Sequence, residues 1–373
     1  MIHCQPSDEH CSCGGSWVGR EAFTRIQVTD IPEIQPTVTE YHERCFSCAR
    51  CGRETYARAN LPLGESRFGP KIHAFVLDLN LGSRLSYRQI KGHLKRHHNI
   101  SVSVGAVSEM IKRSAALTKT AFEDLKRWFQ EDMSPKHVDE TSWRLRDLKT
   151  QLIGALNAHA VLFQCSLRRK AKNIIKLIGS DLSRWIICDR APVYQAWLNR
   201  QLCWAHVLRD FHFLATYSVC QAQAEQLVKH AQSLFKAYDA YQSGELSDQQ
   251  YLKIAKDLRG EVSSLLQALG FFKISKKADG MIRNLVKFEA QLWTFLQNPS
   301  LPIHNNQQES ALRTLVLKRL ISFGNDTAAG ADRLAQLMSI IETLKRQGRD
   351  VCSWFISSFT GETSSLIPST TAL

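Results

Sequence analysis

The 373-residue sequence contains no uninterrupted run of 18 apolar residues. A membrane-spanning helix needs about 20, so none is expected. The opening MIHCQPSDEHCSCGG has no apolar core of the kind an export signal carries. A soluble, cytoplasmic protein is therefore the expectation. No repeat of fixed period recurs, which sets aside solenoid and propeller arrays. Acidic residues are in deficit: 35 Asp and Glu face 48 Lys and Arg, a formal net charge of +13, and the isoelectric point is about 9.3. A surplus of that size favours a polyanionic partner, nucleic acid first, because phosphates supply most of the attraction in such complexes. Hydrophobic residues make up 44% of the chain, enough for a real core, and the length allows two or three domains.

Cysteine is present, but unevenly. Of the 11 cysteines, Cys4, Cys11, Cys13, Cys45, Cys48 and Cys51 fall near the start, while Cys165, Cys188, Cys203, Cys220 and Cys352 are scattered singly. In a long chain without an export signal, clustered cysteines read as metal ligands and scattered ones as small core residues. HCSCG (His10–Gly14) and CARCG (Cys48–Gly52) share the shape of a zinc knuckle. Each sets two ligands on one tight turn, and the glycine lets the backbone bend around the metal. Cys13, Cys48 and Cys51 are the expected Zn²⁺ ligands, with His10 or Cys11 as the fourth and Cys45 a weaker rival. Between the knuckles, TRIQVTDI and PTVTEYH alternate as strands do. The expectation is a small zinc ribbon over residues 1–60 with a closed, structural site.

Residues 61–133 read as a helical segment. LPLGESRFGP is a linker followed by an apolar helix. Ser86 can cap a helix that reaches about His97, with Ile90 and Leu94 on one face; after NISVS a second begins near Val104, with Val107, Met110 and Ile111 at helical spacing. Arg88, Lys91, Lys95, Arg96, Lys112 and Arg113 stud this pair, which has the form of a helix-turn-helix and could contact DNA phosphates. The plain alternative is a solvated helical hairpin.

From 134 to 217 the pattern is strand-rich. HVDETSWRL alternates, with Val138, Glu140 and Ser142 on one face and Asp139, Thr141 and Trp143 on the other. QLIGALNA, AVLFQCSL, a helix in RRKAKNIIKLIG, the buried run RWIIC and then RQLCWAHVLRDFHFLATY give an α/β core of βββαβα order. Residues 218–301 turn helical, in AEQLVKHAQSLFKAYDAY, YLKIAKDLRGEVSSLLQAL and MIRNLVKFEAQLWTFLQ. A segment over 302–357 carries the last long helix, QQESALRTLVLKRLIS, closed by Phe323-Gly324. The tail 358–373 is expected to be disordered.

Three acids stand out by position. Asp139 lies on the first strand, Asp189 ends the fourth, and Glu309 sits on the first turn of the late helix. In a sheet of this order the first and fourth strands are neighbours, so the two aspartates can meet and the helix can lay Glu309 across them. Carboxylates so placed repel unless a cation joins them, and Mg²⁺ or Mn²⁺ with phosphate is the natural match. Two such ions, about 4 Å apart, can stabilise the attacking and leaving oxygens of an in-line phosphoryl displacement. Singly, each acid also has a bland role: an edge charge, a cap for the turn after Asp189, or an ion pair between Glu309 and Arg313. Arg313 could instead contact phosphate, and Asn305 and Asn306 could cap their helix.

HVDETSWR, CDRAPVYQAW, RQLCWAHVLRDF, HNNQQESALRTLVLKRLISFG and RQGRDV, in that order, resemble the IS66 family of bacterial insertion-sequence transposases. The resemblance runs from Cys11 to about Phe355. It implies an RNase H-like catalytic core of the DDE type, split by the helical insertion and preceded by a zinc-binding domain. Asp139, Asp189 and Glu309 would be its carboxylates. His206 and Arg209 would position the scissile phosphate or move a proton; the plain alternative for His206 is helix packing. The implied partners are double-stranded DNA (element ends and target), a second copy of the chain on DNA, and companion proteins of the same element. A nuclease that cuts without joining, and a DNA-binding protein without chemistry, remain the alternatives.

Overall fold

The computed structural model describes residues 6–19, 25–61, 63–64, 66–362 and 365–368. Near the start, β1 (Arg44–Ser47) and β2 (Glu54–Ala57) form an antiparallel hairpin around the second knuckle, and all their residues are exposed. The expected ribbon strands are not there: residues 25–43 carry no strand or helix, and Thr24 lies outside the described residues. Alternation makes a strand only where one face is covered, and this stretch is almost wholly exposed.

Four helices follow: α1 (Pro70–Leu77), α2 (Tyr87–His98), α3 (Val104–Leu117) and α4 (Lys119–Glu131). Ser86 caps α2 in a full capping box with Gln89, and Asn99 ends it in the left-handed conformation. Ile90 and Leu94 of α2, with Val107, Met110 and Ile111 of α3, are buried as their spacing requires.

The centre is a mixed five-stranded sheet in the order β5-β4-β3-β6-β7. Its strands are β3 (Lys136–Leu145), β4 (Leu148–Leu156), β5 (Val161–Ser166), β6 (Ile186–Cys188) and β7 (Arg200–Leu202), with α5 (Ala171–Ile178) between β5 and β6. β3–β4 and β4–β5 are antiparallel, whereas β6 is parallel to both β3 and β7. Only a single 3-10 turn, Pro192–Tyr194, separates β6 from β7.

Both open edges are covered, as an unpaired strand requires. Along β5 runs α12 (Ala328–Arg346): the Val161 N–H donates to Thr343 Oγ1 (3.0 Å) and the Phe163 N–H to Ser339 Oγ (2.8 Å). Along β7 runs the segment after α6 (Trp204–Leu214), α7 (Gln221–Gln242), α8 (Asp248–Gly270) and α9 (Lys276–Lys287). There Gln201 Nε2 donates to Leu292 O and Gln201 Oε1 accepts from the Phe295 N–H. The single helix expected in MIRNLVKFEAQLWTFLQ is accordingly three pieces, α9, the short α10 (Glu289–Leu292) and a 3-10 turn, because Phe288, Trp293 and Phe295 are drawn into the core.

The helix α11 (Asn306–Ser322) lies along β3 and is fixed at three levels. Asn305 Nδ2 donates to Val138 O (3.0 Å) and its Oδ1 accepts from His137 Nδ1 (2.9 Å). Arg319 Nη1 donates to Thr141 Oγ1 (3.1 Å) and Ser142 Oγ (2.8 Å). Asn325 accepts from Trp143 Nε1 (3.1 Å) and bridges the end of β3. Gly324, at φ +109°, lets the turn meet Arg144, whose carbonyl a Cβ would strike. α11 is not the last long helix, since α12 and α13 (Val351–Phe359) follow. The expected disordered tail is also corrected where it is described: Leu366 is buried, and its carbonyl accepts from Gln347 Nε2 (2.9 Å). Residues 363–364 and 369–373 lie outside the described residues.

Gly154 stands opposite Asp139 in the β3–β4 register. A Cβ there would collide with the buried Gln308 side chain of α11 and crowd Leu312 and Phe163. The absent side chain is what lets α11 close on the sheet beside Asp139. Gly154→Ala is expected to lower unfolding free energy by roughly 1–3 kcal/mol, measured by urea denaturation; an unchanged midpoint would mean that α11 is not held this tightly.

Candidate active site

The sheet register brings the two aspartates together. Lys136 and His137 pair with Ile186 and Ile187 across the parallel β3–β6 ladder, and the same register carried two residues further sets Asp139 level with Asp189. Both lie at the carboxyl end of β6, and paired residues of a parallel ladder face the same side. Glu309 arrives from α11. A helix rises ~1.5 Å per residue and a strand ~3.4 Å, so the four residues from Asn305 to Glu309 advance about as far as two residues of β3. With Asn305 fixed at His137 and Val138, Glu309 comes level with Asp139.

The electrostatics agree with that placement. Burial first, with the nearby charges of Asp189, Glu309 and Glu140 added to it, pushes Asp139 up to about 7 against the opposing Glu140 backbone N–H. That N–H donates to Asp139 Oδ1 at 2.8 Å, and the Ala191 N–H donates to Asp189 Oδ1 at 2.8 Å. Asp189 thus starts the turn that follows while remaining at the notch.

Glu309 does not pair with Arg313. Its Oε1 lies 3.6 Å from His206 Nδ1 and 3.6 Å from Arg209 Nη2 on α6, yet accepts no hydrogen bond. His206 is lowered by burial first and by Arg209 next, with Glu309 opposing. Asp210 pairs with Arg190 and not with His206. Asn305 holds the N-cap position of α11, but its side chain makes no capping bond: it is fully buried, and its backbone N–H donates to Cys203 Sγ (3.2 Å).

Two groups escaped the sequence reading. Glu140, on the other face of β3, has a side chain 5% exposed and pairs with Arg169, and Tyr194 Oη donates to it at 3.4 Å. Burial raises Glu140 and the Arg169 charge opposes. The adjacent Asp-Glu pair with alternating faces was a signal that both acids are placed. Cys203 is the other: Sγ of Cys203, a ring nitrogen of His206 and a carboxylate oxygen of Glu309 all lie within 4.8 Å of one another, the one such group of three among the described residues. Its signal was the Cys-x-x-His spacing of CWAH.

Asp139, Asp189 and Glu309 do not form a group of donors all within 4.8 Å of one another, and Glu309 Oε1 lies 3.6 Å from His206 on α6. Oxygen donors that repel, one carboxylate held near neutrality and one oxygen without a hydrogen bond are a donor set that fits a hard divalent cation such as Mg²⁺.

The knuckle residues sit on two separate turns. Gly14 and Gly52 close them with positive φ, donating to Cys11 O and Cys48 O at 2.8 Å each. The Cys48 thiol is lowered first by the Cys51 backbone N–H, and that of Cys11 by the Cys13 backbone N–H, as in thiolate ligands. His10, Cys11, Cys13, Cys48 and Cys51 do not form a group of three donors within 4.8 Å among the described residues.

Of the basic residues, Arg88, Lys91, Lys95, Arg96, Lys112 and Arg313 are exposed. Arg113 is half-buried and donates from Nη1 to Leu63 O (2.5 Å), so it fastens the linker to α3. A cleft of about 790 Å³ lies among α4, α5, α12 and the end of β5, and Lys119, Lys126, Arg168, Lys170, Lys172 and Lys176 are among its lining residues. The loop after β5 sends Arg169 to Glu140 while Arg168 and Lys170 line that cleft.

A mixed sheet with an acid within β3, a second just past the end of β6 and a glutamate on α11 makes this an α/β protein with a candidate cation centre. Residues 65–333, well over half the chain, match the sequence profile described as "Transposase IS66 family". The chain belongs to that family, which makes it a DNA-processing enzyme with DNA as its partner and with a divalent metal in keeping with the family's chemistry. Residues 1–64, with the knuckles, lie outside the match. A search of curated proteins found no match. No described helix is long and apolar enough to cross a membrane.

The folded value of Asp139 lies above its ordinary 3.8. Its protonated form therefore favours folding; that contribution is fully present below the unfolded value and is lost as pH rises through about 7. In magnesium-free protein, Asp139→Asn is expected to gain thermal stability over wild type progressively between about pH 4 and about pH 8. Parallel Tm profiles for the two proteins would show that Asp139 is not crowded by the other acids.

Proposed function

We propose that the chain is a DDE transposase with an RNase H-like core, using Asp139, Asp189 and Glu309 to cut element ends and join them to target DNA. The observation that carries this reading is the β3–β6 register, which sets Asp139 level with Asp189 while Asn305 anchors the helix of Glu309 at His137 and Val138; the push of Asp139 up to about 7 by burial and neighbouring carboxylates is in keeping with it. A protein gains nothing in stability from such crowding, and perturbed acids gathered in a notch mark sites of chemistry. The strand order β5-β4-β3-β6-β7, with β3 and β6 parallel, supports the RNase H-like assignment.

The residues divide the work as follows. Asp139 and Asp189, fixed by sheet register, and Glu309, carried by α11, hold divalent cations of the Mg²⁺ class. When bound, such cations supply positive charge to the attacking and leaving oxygens of an in-line phosphoryl displacement. Arg209, 61% exposed, and exposed Arg313 on α11 meet DNA phosphates near the notch. His206 orients Glu309 and the scissile phosphate. The cleft lysines and arginines hold the backbone of DNA leading to the site, and Arg88, Lys91, Lys95, Arg96 and Lys112 supply further phosphate contacts from α2 and α3. Arg113 acts through the linker it fastens. Cys13, Cys48 and Cys51, with His10 or Cys11, bind a structural Zn²⁺ once the two turns meet.

The test is strand transfer with a labelled, pre-cleaved element end, a supercoiled target and Mg²⁺ or Mn²⁺. Wild type should form joined product, and Asp139→Asn and Glu309→Gln should lower it by at least about 10²–10³-fold. Cleavage without joining would favour a nuclease, and undiminished product from either variant would refute the assigned carboxylates. Elemental analysis of folded, reduced protein should find a tightly held knuckle zinc, by the four-ligand rule; alanine at Cys48 and Cys51 should lower the zinc content by about one per chain, and an unchanged content would reject the knuckle ligands.

A further inference from the structure

The cluster of Cys203, His206 and Glu309 is not explained by the carboxylate notch. A pure magnesium centre has no use for sulfur, because Mg²⁺ takes oxygen ligands. The three donors come from two elements: Cys203 is the N-cap of α6, His206 is on its first turn, and Glu309 is on the first turn of α11. All three donor atoms lie within 4.8 Å of one another. His206 Nδ1 and Glu309 Oε1 are shielded from solvent and neither makes a hydrogen bond. Buried polar atoms are normally satisfied, and these two lie 3.6 Å apart without a hydrogen bond between them, a spacing that a shared ligand would satisfy.

We propose that Cys203, His206 and Glu309 form a site for a thiophilic divalent cation of the zinc class, and that filling it withholds Glu309 from Asp139 and Asp189.

Sulfur, imidazole nitrogen and carboxylate oxygen together are the donor set of zinc, and three protein ligands leave a fourth position open. The 3.6 Å between His206 Nδ1 and Glu309 Oε1 is close to the edge of a tetrahedron with bonds of about 2.0–2.1 Å, roughly 3.4 Å. The Asn305 N–H donates to Cys203 Sγ at 3.2 Å and the first-turn N–H groups of α6 face it, but burial outweighs them and pushes the thiol up, so it is the cation that must displace the thiol proton. Binding replaces the thiol proton, which leaves to solvent. Arg209 Nη2, now 3.6 Å from Glu309 Oε1, gives way; its side chain is 61% exposed and free to turn outward.

Glu309 then has two competing roles. With oxygen-seeking cations it completes the notch beside Asp139 and Asp189; with a thiophilic cation it is held against α6. The second role rests on the catalytic reading of Glu309, whereas the metal site itself does not.

The test uses reduced, full-length protein and Co²⁺ as an optical stand-in for Zn²⁺. Titrations of wild type and Cys203→Ser are compared by near-ultraviolet thiolate-to-cobalt absorbance. The knuckle thiols are common to both, so the difference spectrum isolates Cys203. One equivalent of additional thiolate–cobalt absorbance in wild type is expected, and Glu309→Gln, at a partly exposed position, should weaken that uptake by about tenfold or more. Superimposable titrations would overturn the proposal, as would a difference band insensitive to both Glu309→Gln and His206→Ala. In the Mg²⁺-dependent strand-transfer assay, the Zn²⁺ concentration for half-suppression should rise at least about tenfold in Cys203→Ser; equal sensitivity would overturn the withholding of Glu309. If instead the catalytic reading fails, Glu309→Gln leaves strand transfer intact, while wild type still shows the Cys203-dependent cobalt band and Glu309→Gln still weakens it.

Discussion

Asn305 ties three separate parts of the chain at one point. Its amide bridges His137 and Val138 on β3, and its backbone N–H reaches Cys203 at the start of α6. The direction of the His137 bond follows from chemistry: Asn305 Nδ2 is spent on Val138 O, so its Oδ1 must accept and the ring must donate. His137 can do this as a neutral imidazole, and burial holds it neutral by lowering it to about 4. From this anchor α11 runs along β3 to Arg319 and Asn325, so Glu309 has little freedom along the strand. Lys318 fastens the same helix on its far side by donating to Asn80 O at 2.8 Å.

That rigidity has a purpose that stability alone does not provide. Carboxylates in a poorly solvated notch repel, and the elevated Asp139 records the repulsion. Packing supplies what opposes it. Gly154 makes room for α11, α12 closes the β5 edge, and the stretch around Leu292–Phe295 closes the β7 edge. The second acid of the pair, Glu140, is treated differently: Arg169 and Tyr194 balance it on the opposite face. One strand therefore carries two adjacent acids with opposite fates, one neutralised by the protein and one left for a cation.

The local signals in the sequence were reliable where they matched the packing. The cap at Ser86, the helical spacing of Ile90 and Leu94, and the alternation in HVDETSWRL were all readable from residue types. So were the three acids: Asp139 within an alternating strand, Asp189 just past the end of a buried run and Glu309 on the first turn of a helix. What stayed hidden depends on contacts between distant segments. Asn305 looked like a cap because nothing in its neighbourhood reveals His137, which is 168 residues away. Phe288 and Trp293 break a helix that periodicity alone would continue, because β7 needs an edge cover. The alternation in residues 25–43 misled for the opposite reason: no neighbour buries either face. Cys203 read as a core residue, and it is buried, but its i+3 histidine and the glutamate of α11 give it chemistry that spacing only hinted at.

Proton release on Mg²⁺ binding tests the central claim most directly. Calorimetric titration of magnesium-free protein near neutral pH, in two buffers of different ionisation enthalpy, counts the protons displaced. With Asp139 held at about 7, wild type should release about half a proton per chain as the cation forces the carboxylate to ionise, and Asp139→Asn should release none. Binding without proton release, or the same release from the variant, would contradict a notch in which Asp139, Asp189 and Glu309 share one cation centre.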